Sequence, residues 1–516
     1  MRIVMLLLTG LWLALAASAQ ENPVTYSDIS HSSAFEKKVL DDHFLHQKSD
    51  LFLLFMANGN LLKDTDIDGA RARFYTHLDK IGTEKAKKND KKIKLIYDDV
   101  HKAFLNKYEM KNHFEDIFYN GYYNCVSASA LYGLAFQHFN IPFTIKEEPT
   151  HVYLIAFPDA ERIMVETTTP VNAFRTIDPQ FKQNYVKVLR EQKVISAQEF
   201  AGASTDMLFD KFYFGEQENI TLSQLVGLQY FNDALYHAEQ EKFQEAASQV
   251  EKAYLFYPSK RMAYTLMSLM HQAFKNRADK DSVHASYLAK LSRFKKYGIT
   301  PEMIQGEFIR VVDELLLNKG ETEKMKAYYT QLHKNLQDET LRDEISFIYH
   351  YENGRVLYNQ ARFRESIPFI QQCLTIKPKH QETNGIFISA ITQSLRNLSN
   401  SEVLKTLEQY TVQHPPLLQN NIFNEMLGNV YVREMQILFE SGKPAEGEKY
   451  RNVFEEFFKA HNEARYDVYL IGRAYSAAAV YYFKKGQSSK AKVIINKGLE
   501  LSPDNYELES RKRMIN

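Results

Sequence analysis

Asn120-Gly121-Tyr122-Tyr123-Asn124-Cys125-Val126-Ser127-Ala128-Ser129-Ala130-Leu131 is the stretch from which the first half of the chain is read. Asn124 is a favourable N-cap, which predicts a helix starting at Cys125 and running to about Phe139. At a helix N-terminus the dipole and the free backbone N–H groups favour a thiolate. The small residues Ser127, Ala128, Ser129 and Ala130 let the first turns approach a neighbouring element closely. Downstream the periodicity changes. Pro142 to Ile145, His151 to Phe157 and Ile163 to Thr167 are short β-type runs, with a turn at Pro158-Asp159-Ala160-Glu161 between the last two. One helix feeding a small antiparallel sheet predicts an α+β unit.

If residue 157 pairs with 162 across that turn, Glu166 faces Tyr153. His151 then lies diagonally beside Glu166 on the same face, within ~7–8 Å of backbone. A register shift of one residue puts the two on opposite faces. The favourable register lets a carboxylate orient an imidazole that deprotonates a thiol, which is the Cys-His-acid logic of covalent catalysis. Asp178 is a weaker substitute for the acid, and Asn120 and Tyr122 are candidates for steadying an oxyanion. Taken singly these residues are ordinary: a lone Cys is commonly a buried small hydrophobe. His151 alone is a strand residue and Glu166 alone a surface charge. The N-cap setting and the chain order of the three favour a site.

That order, a helix-start Cys125, a strand His151 and the next-strand acid in Val165-Glu166-Thr167-Thr168, resembles the transglutaminase-like superfamily, whose fold is papain-like. The resemblance covers roughly residues 90–175. It implies Cys125 as nucleophile, His151 as general base and Glu166 as the orienting acid. It further implies acyl chemistry at an amide or peptide bond through a Cys125 thioester, as a hydrolase or an acyltransferase; with no HExxH, Walker or paired-Cys zinc pattern in the chain, no cofactor and no metal are expected. Two positions depart from the family pattern. Glu stands where Asp is usual, and Val152-Tyr153 follows the His where the family has a His-Ala-Trp-type sequence. The alternative expectation is a catalytically inactive scaffold of the same fold that mediates protein–protein interaction at the cell envelope.

Working outward, residues 33 to 115 carry helical spacings such as Phe35, Val39, Phe44, Leu45, Leu51, Leu54 and Phe55, with turns expected at Asn58-Gly59-Asn60 and Asp68-Gly69. Beyond about Ser223 the β-signals vanish and a repeat appears. Tyr230, Ala234, Ala246, Ala253 and Pro258 form one unit, Gly354, Ser366, Cys373 and Pro378 another, and Tyr475, Ala479, Tyr482, Gly486, Ala491, Gly498 and Pro503 the clearest. Small residues let two helices of a pair approach, and Pro cannot continue the second helix. These offsets resemble the tetratricopeptide-repeat family, whose units are ~34-residue helix–turn–helix blocks. Met262 to Phe274, Val283 to Tyr297, Phe308 to Leu317 and Ile422 to Phe439 read as further helices. The expected division is residues 1–19 as a signal peptide, 20–222 as a helical lead-in plus the transglutaminase-like domain, and 223–516 as an all-α solenoid. Such a solenoid presents a concave face to a protein or peptide partner.

The composition bounds these readings. A chain of 516 residues is too long for one core, and 44% hydrophobic with 25% charged residues is the mixture of a folded globular protein. Lys+Arg and Asp+Glu are both 64, so no net field recruits nucleic acid. Arg2, the apolar run from Met5 to Ala16 and Ala17-Ser18-Ala19 form an export signal, which predicts a periplasmic or secreted protein with no membrane span after its removal. Asp64-Thr65-Asp66-Ile67-Asp68-Gly69 opens like a calcium loop, but Tyr75 occupies the position of its bidentate Glu. The lysines from Lys85 to Lys94 read as a solvated helix end. Cys373 takes a small-residue packing position in a repeat and reads as structural.

Overall fold

The computed structural model describes residues 22–59, 61–148, 151–168, 174–176, 179–191, 195–214, 219–275 and 281–515. Residues 1–19, expected to be an export signal, and Asp178 lie outside the described residues. The chain forms two compact units, the first reaching Ile304 and including Lys334–Gln337, the second comprising Gln305–His333 and Asp338–Asn516. The helical hairpin expected to open the solenoid thus lies in the first unit.

In the first unit, helices Ala34–Phe44, Leu51–Met56, Asp64–Leu78 and Asn89–Phe104 precede the sheet. Phe52, Phe74, Phe104, Phe114 and Phe118 meet in a buried cluster, with edge-on contacts such as Phe52–Phe114 at 5.6 Å and Phe114–Phe118 at 5.5 Å. One expectation is corrected here. Asp68-Gly69 is not a turn but lies inside the helix Asp64–Leu78. Ile67, Ala70, Phe74 and Leu78 bury one stripe of that helix, while a Cβ on Gly69 meets nothing, so the apolar stripe overrides the turn dipeptide.

Two short strands, β1 (Lys107–Tyr108) and β2 (Tyr122–Tyr123), pair in parallel. A five-stranded antiparallel sheet follows, built from β3 (Phe143–Glu148), β4 (His151–Ala156), β5 (Ile163–Val165), β6 (Phe174–Thr176) and β7 (Asn219–Ile220) in the order β6-β5-β4-β3-β7. β4 pairs with β5 through Leu154–Val165, Ile155–Met164 and Ala156–Ile163, the register expected from the sequence. Phe157 and Arg162 close the turn with φ of 50° and 49°, and the Arg162 N–H donates to the Phe157 carbonyl at 3.0 Å. The helix Cys125–His138 is buried from Val126 to Phe136 and packs on β4. Its small residues make this possible: Ser129 Oγ reaches the Val152 carbonyl at 3.4 Å and lies 3.3 Å from Thr167 Oγ1. Tyr153 and Ile155 pack instead with Val186, Ile195, Leu208 and Phe209 from the segment between β6 and β7.

The hairpin Leu222–Glu239 and Phe243–Phe256 joins this unit through buried polar groups. Gln229 donates to the Phe55 carbonyl at 2.9 Å and accepts from the Phe114 N–H at 3.2 Å. Lys252 meets Glu36 at 2.7 Å, and both are essentially inaccessible to solvent. Tyr230 OH and Ser32 Oγ complete the shell of Glu36 at 3.0 and 2.9 Å. Buried charges persist where every lone pair finds a donor, and this one does.

The second unit is helical in its described residues, as a succession of pairs: Glu339–Asn359 with Phe363–Ile376, Asn421–Glu440 with Pro444–Ala460, and Val468–Lys484 with Ser488–Leu501. Short connections make each pair an antiparallel hairpin. The small residues sit where the helices touch. A Cβ on Gly354 would lie 2.5 Å from Ile370 Cδ1, and one on Gly498 would lie 2.9 Å from Tyr475 Cβ. Pro378 and Pro503 follow the ends of their second helices at Ile376 and Leu501. Cys373 is fully buried with its thiol 3.8 Å from the Phe347 carbonyl. Among the described residues, no helix is long and apolar enough to cross a membrane.

Candidate active site

Local sequence sets the position of the thiol. Asn124 has extended backbone, and its side chain accepts from the Ser127 N–H at 2.9 Å. Ser127 Oγ in turn accepts from the Asn124 N–H at 2.9 Å, which closes a capping box. Cys125 is therefore the first residue of the helix, and its thiol is partly exposed. The first N–H groups of a helix have no acceptor within it, so those of Cys125 and Val126 remain as donors at the same helix end.

β4 carries His151 as its first residue, and Glu166 directly follows β5. The β4–β5 register brings them together: His151 Nε2 lies 2.9 Å from Glu166 Oε2 and 3.1 Å from Oε1. Thr168 fixes the carboxylate from behind, its N–H donating to Oε1 at 3.1 Å and its hydroxyl at 2.8 Å. With Nε2 taken by Glu166, Nδ1 is the ring nitrogen left open, and Cys125 lies near enough to the imidazole to favour its charged form. Tyr153 stacks on the ring with centroids 6.2 Å apart.

The electrostatics follow from these contacts. The hydrogen bond with Cys125, then that with Glu166, raise His151 to about 10 against the opposing effect of burial. For Glu166 burial opposes ionisation, but the bonds from His151 and Thr168 outweigh it and hold the carboxyl below its ordinary value. Both neighbours, Cys125 and Glu166, thus favour the charged form of the ring. Cys373 is the opposite case, its thiol pushed up to about 12 by burial.

The structure thus brings Cys125, His151 and Glu166 together. Asn120 is committed locally: its Oδ1 accepts from the Tyr122 N–H at 2.8 Å, and Lys107 Nζ lies 4.9 Å from the Tyr122 ring. Sequence reasoning missed the surroundings. Tyr108 and Tyr236 both have phenols raised by burial first and by the electrostatic influence of Cys125 second. Met110 and Asn112 were missed as well, and their carbonyls accept from Asn124 Nδ2 at 3.1 and 3.3 Å. No local pattern marks such residues, because their role arises from a loop meeting two helices. Among the described residues no group of three or more His, Cys, Asp or Glu is placed to hold a metal ion.

Compared with known proteins over its whole length, the chain matches no curated protein. Among solved structures, the tetratricopeptide domain of P58(IPK) is 13% identical, with 65% of this chain and 96% of that chain covered and a TM-score of 0.18. The Naa15/Naa10 complex bound to HypK-THB is 11% identical over 65% of this chain and 64% of that chain, also with a TM-score of 0.18. The sequence profile of the tetratricopeptide repeat family matches residues 472–505. That segment is the pair Val468–Lys484 and Ser488–Leu501 with its closing Pro503, so the chain carries a tetratricopeptide repeat there.

Proposed function

We propose that Cys125, His151 and Glu166 form a transglutaminase-like cysteine site that performs acyl transfer or hydrolysis at an amide or peptide bond, in an exported protein whose repeats hold a protein partner. The observation that carries the first part is His151 held 2.9 Å from a Thr168-braced carboxylate, with the helix-start Cys125 near enough to favour its charged form. The thiolate attacks the amide carbonyl, and the helix-end N–H groups of Cys125 and Val126 face the developing oxyanion. The imidazolium gives its proton to the leaving amine, which departs as a thioester forms on Cys125. Water or a second amine then attacks the thioester, with neutral His151 taking its proton, and the thiolate is regenerated. Glu166 holds the ring and its charge throughout. The test is acylation by a p-nitrophenyl ester followed by intact mass. A covalent acyl adduct on Cys125, absent from Cys125→Ala, supports the reading, and no adduct above that variant refutes it.

Partner binding rests on a cavity of about 720 Å³ in the second unit, whose lining includes Arg473, Lys484, Lys485 and Arg511 against Glu440 and Glu507. Phe439, Ala477, Val480 and Tyr481 add an apolar wall. A surplus of cations beside aromatic surface suits an acidic peptide segment. The full chain carrying Cys125→Ala, used as bait against an envelope fraction, should retain a partner that Arg473→Glu releases. Retention without catalysis would favour the scaffold reading.

A further inference from the structure

The helix Leu222–Glu239 opens a repeat-type hairpin, yet one of its stripes faces the loop that caps the nucleophile helix. Gln229, Asp233, Tyr236 and Glu239 are spaced by four, three and three residues, which places them along one face. Each engages the loop of residues 110–114. Gln229 Oε1 accepts from the Phe114 N–H at 3.2 Å, and Asp233 Oδ1 lies 3.0 Å from His113 Nε2. Tyr236 OH donates to the Met110 carbonyl at 2.6 Å, and Glu239 pairs with Lys111. The other side of the loop meets the N-cap. Asn124 Nδ2 donates to the Met110 and Asn112 carbonyls at 3.1 and 3.3 Å, and Ser127 Oγ donates to Asn112 Oδ1 at 3.1 Å. The Met110 carbonyl is thus shared by Tyr236 of one helix and Asn124 of another. A carbonyl has two lone pairs, and this one uses both to tie the repeat hairpin to the residue before the cysteine.

We infer that Tyr236 is a positioning residue for Cys125, and that through Met110 and Asn124 the first repeat helix sets the orientation of the nucleophile's helix end. The inference rests on reading Cys125 as the nucleophile. It gives the hairpin a role other than partner capture. Anything that shifts the Leu222–Glu239 helix reaches Asn124, the residue before the cysteine, through two hydrogen bonds.

The geometry has a specific consequence. Removing the Tyr236 hydroxyl leaves the ring in place and loosens the Met110 carbonyl. Removing Asn124 Nδ2 with serine keeps a competent N-cap but cuts the same link from the other end. Both changes act on one carbonyl, so their effects should not multiply.

The experiment measures iodoacetamide alkylation of Cys125 near pH ~7 by mass spectrometry in the full chain, with buried Cys373 as internal reporter of unfolding. Wild type, Tyr236→Phe, Asn124→Ser and the double variant are compared. Tyr236→Phe should slow Cys125 by a factor of about 2 to 13, the range of one net hydrogen bond, and Asn124→Ser, which also frees the Asn112 carbonyl, by at least as much. The double variant should be no slower than the slower single one, with Cys373 protected in all four. Unchanged labelling in Tyr236→Phe, or slowing that multiplies in the double variant, overturns the positioning role while leaving the nucleophile reading intact. Wild-type Cys125 labelling no faster than Cys373 overturns both. Should Tyr236→Phe fail to fold, the Asn124→Ser arm reads the link by itself: a wild-type rate there overturns the proposal.

Discussion

Glu166→Gln is the substitution that most directly tests the site. Gln keeps the length and shape of Glu but has only one oxygen. Thr168 donates to Oε1 twice, at 3.1 and 2.8 Å, so the amide oxygen settles there and the NH2 takes the place of Oε2. That NH2 then faces His151 Nε2 at the 2.9 Å where a carboxylate oxygen stood. Two donors cannot share that contact, so Nε2 must lose its proton and the ring must carry it on Nδ1. The ring is then neutral, and the sulfur loses the imidazolium charge that favours its thiolate. A hydrogen bond to a charged group is worth about 1.5–3 kcal/mol, which corresponds to about 10- to 150-fold in rate. The assay is the pH dependence of Cys125 alkylation by iodoacetamide in the full chain, read against Cys373 in the same molecules. Slowing within that range, with Cys373 still protected and an unchanged melting temperature, is the expected outcome. Glu166→Asp retracts the carboxylate by one methylene but keeps its charge, so it should fall between wild type and Gln. If Glu166→Gln labels at the wild-type rate, Glu166 is not part of the site, and Asp178 is the acid to test next.

Further outcomes follow from other contacts. His151 is raised above its ordinary 6.5 to about 10, so the stability it adds is fully present below pH 6.5 and is lost as pH rises through about 10. Glu166 is lowered, so its contribution is present above its ordinary 4.5 and is lost as pH falls through its lower folded value. An NMR titration of the His151 ring should place its midpoint near 10. Cys125→Ala, which removes the largest cause, should move that midpoint towards 6.5, and a midpoint already there in wild type refutes the thiol–imidazole contact. Lys252→Met strands the Glu36 carboxylate in the interior and should cost about 3–5 kcal/mol in urea unfolding, whereas adding Glu36→Gln should restore part of the loss. Gly498→Ala drives a methyl towards Tyr475 Cβ and Leu508 Cδ1, both of fully buried residues. It should lower stability by about 1–3 kcal/mol, and a neutral effect would mean that the last repeat packs more loosely than described. Gly354→Leu should do the same against Ile370, by calorimetry of the full chain.

Much of this molecule is written in local pattern. Asn124 before a run of small residues determines where the Cys125 helix starts, because an N-cap is satisfied by the residue itself and its third neighbour. The β4–β5 register was legible only as one of two pairings, because β4 is apolar on both faces from Val152 to Ala156, and the fold selects the pairing that sets Leu154 opposite Val165. That register is what carries His151 to Glu166. The last repeat was legible because Gly498 and Ala491 sit where only small side chains fit. The turn expected at Asp68-Gly69 failed for the complementary reason: an apolar stripe over three turns outweighs one flexible residue. Tertiary structure alone decided the rest. The strands Phe174–Thr176 and Asn219–Ile220 are too short to announce themselves and exist because the sheet offers them an edge. Gln229, Asp233 and Tyr236 read in sequence as one helix face, and only the folded chain shows that this face meets residues 110–114, more than a hundred positions earlier. Hydrogen bonds between such distant segments leave no periodicity behind, since each partner's identity depends on a neighbour that the linear order does not place beside it.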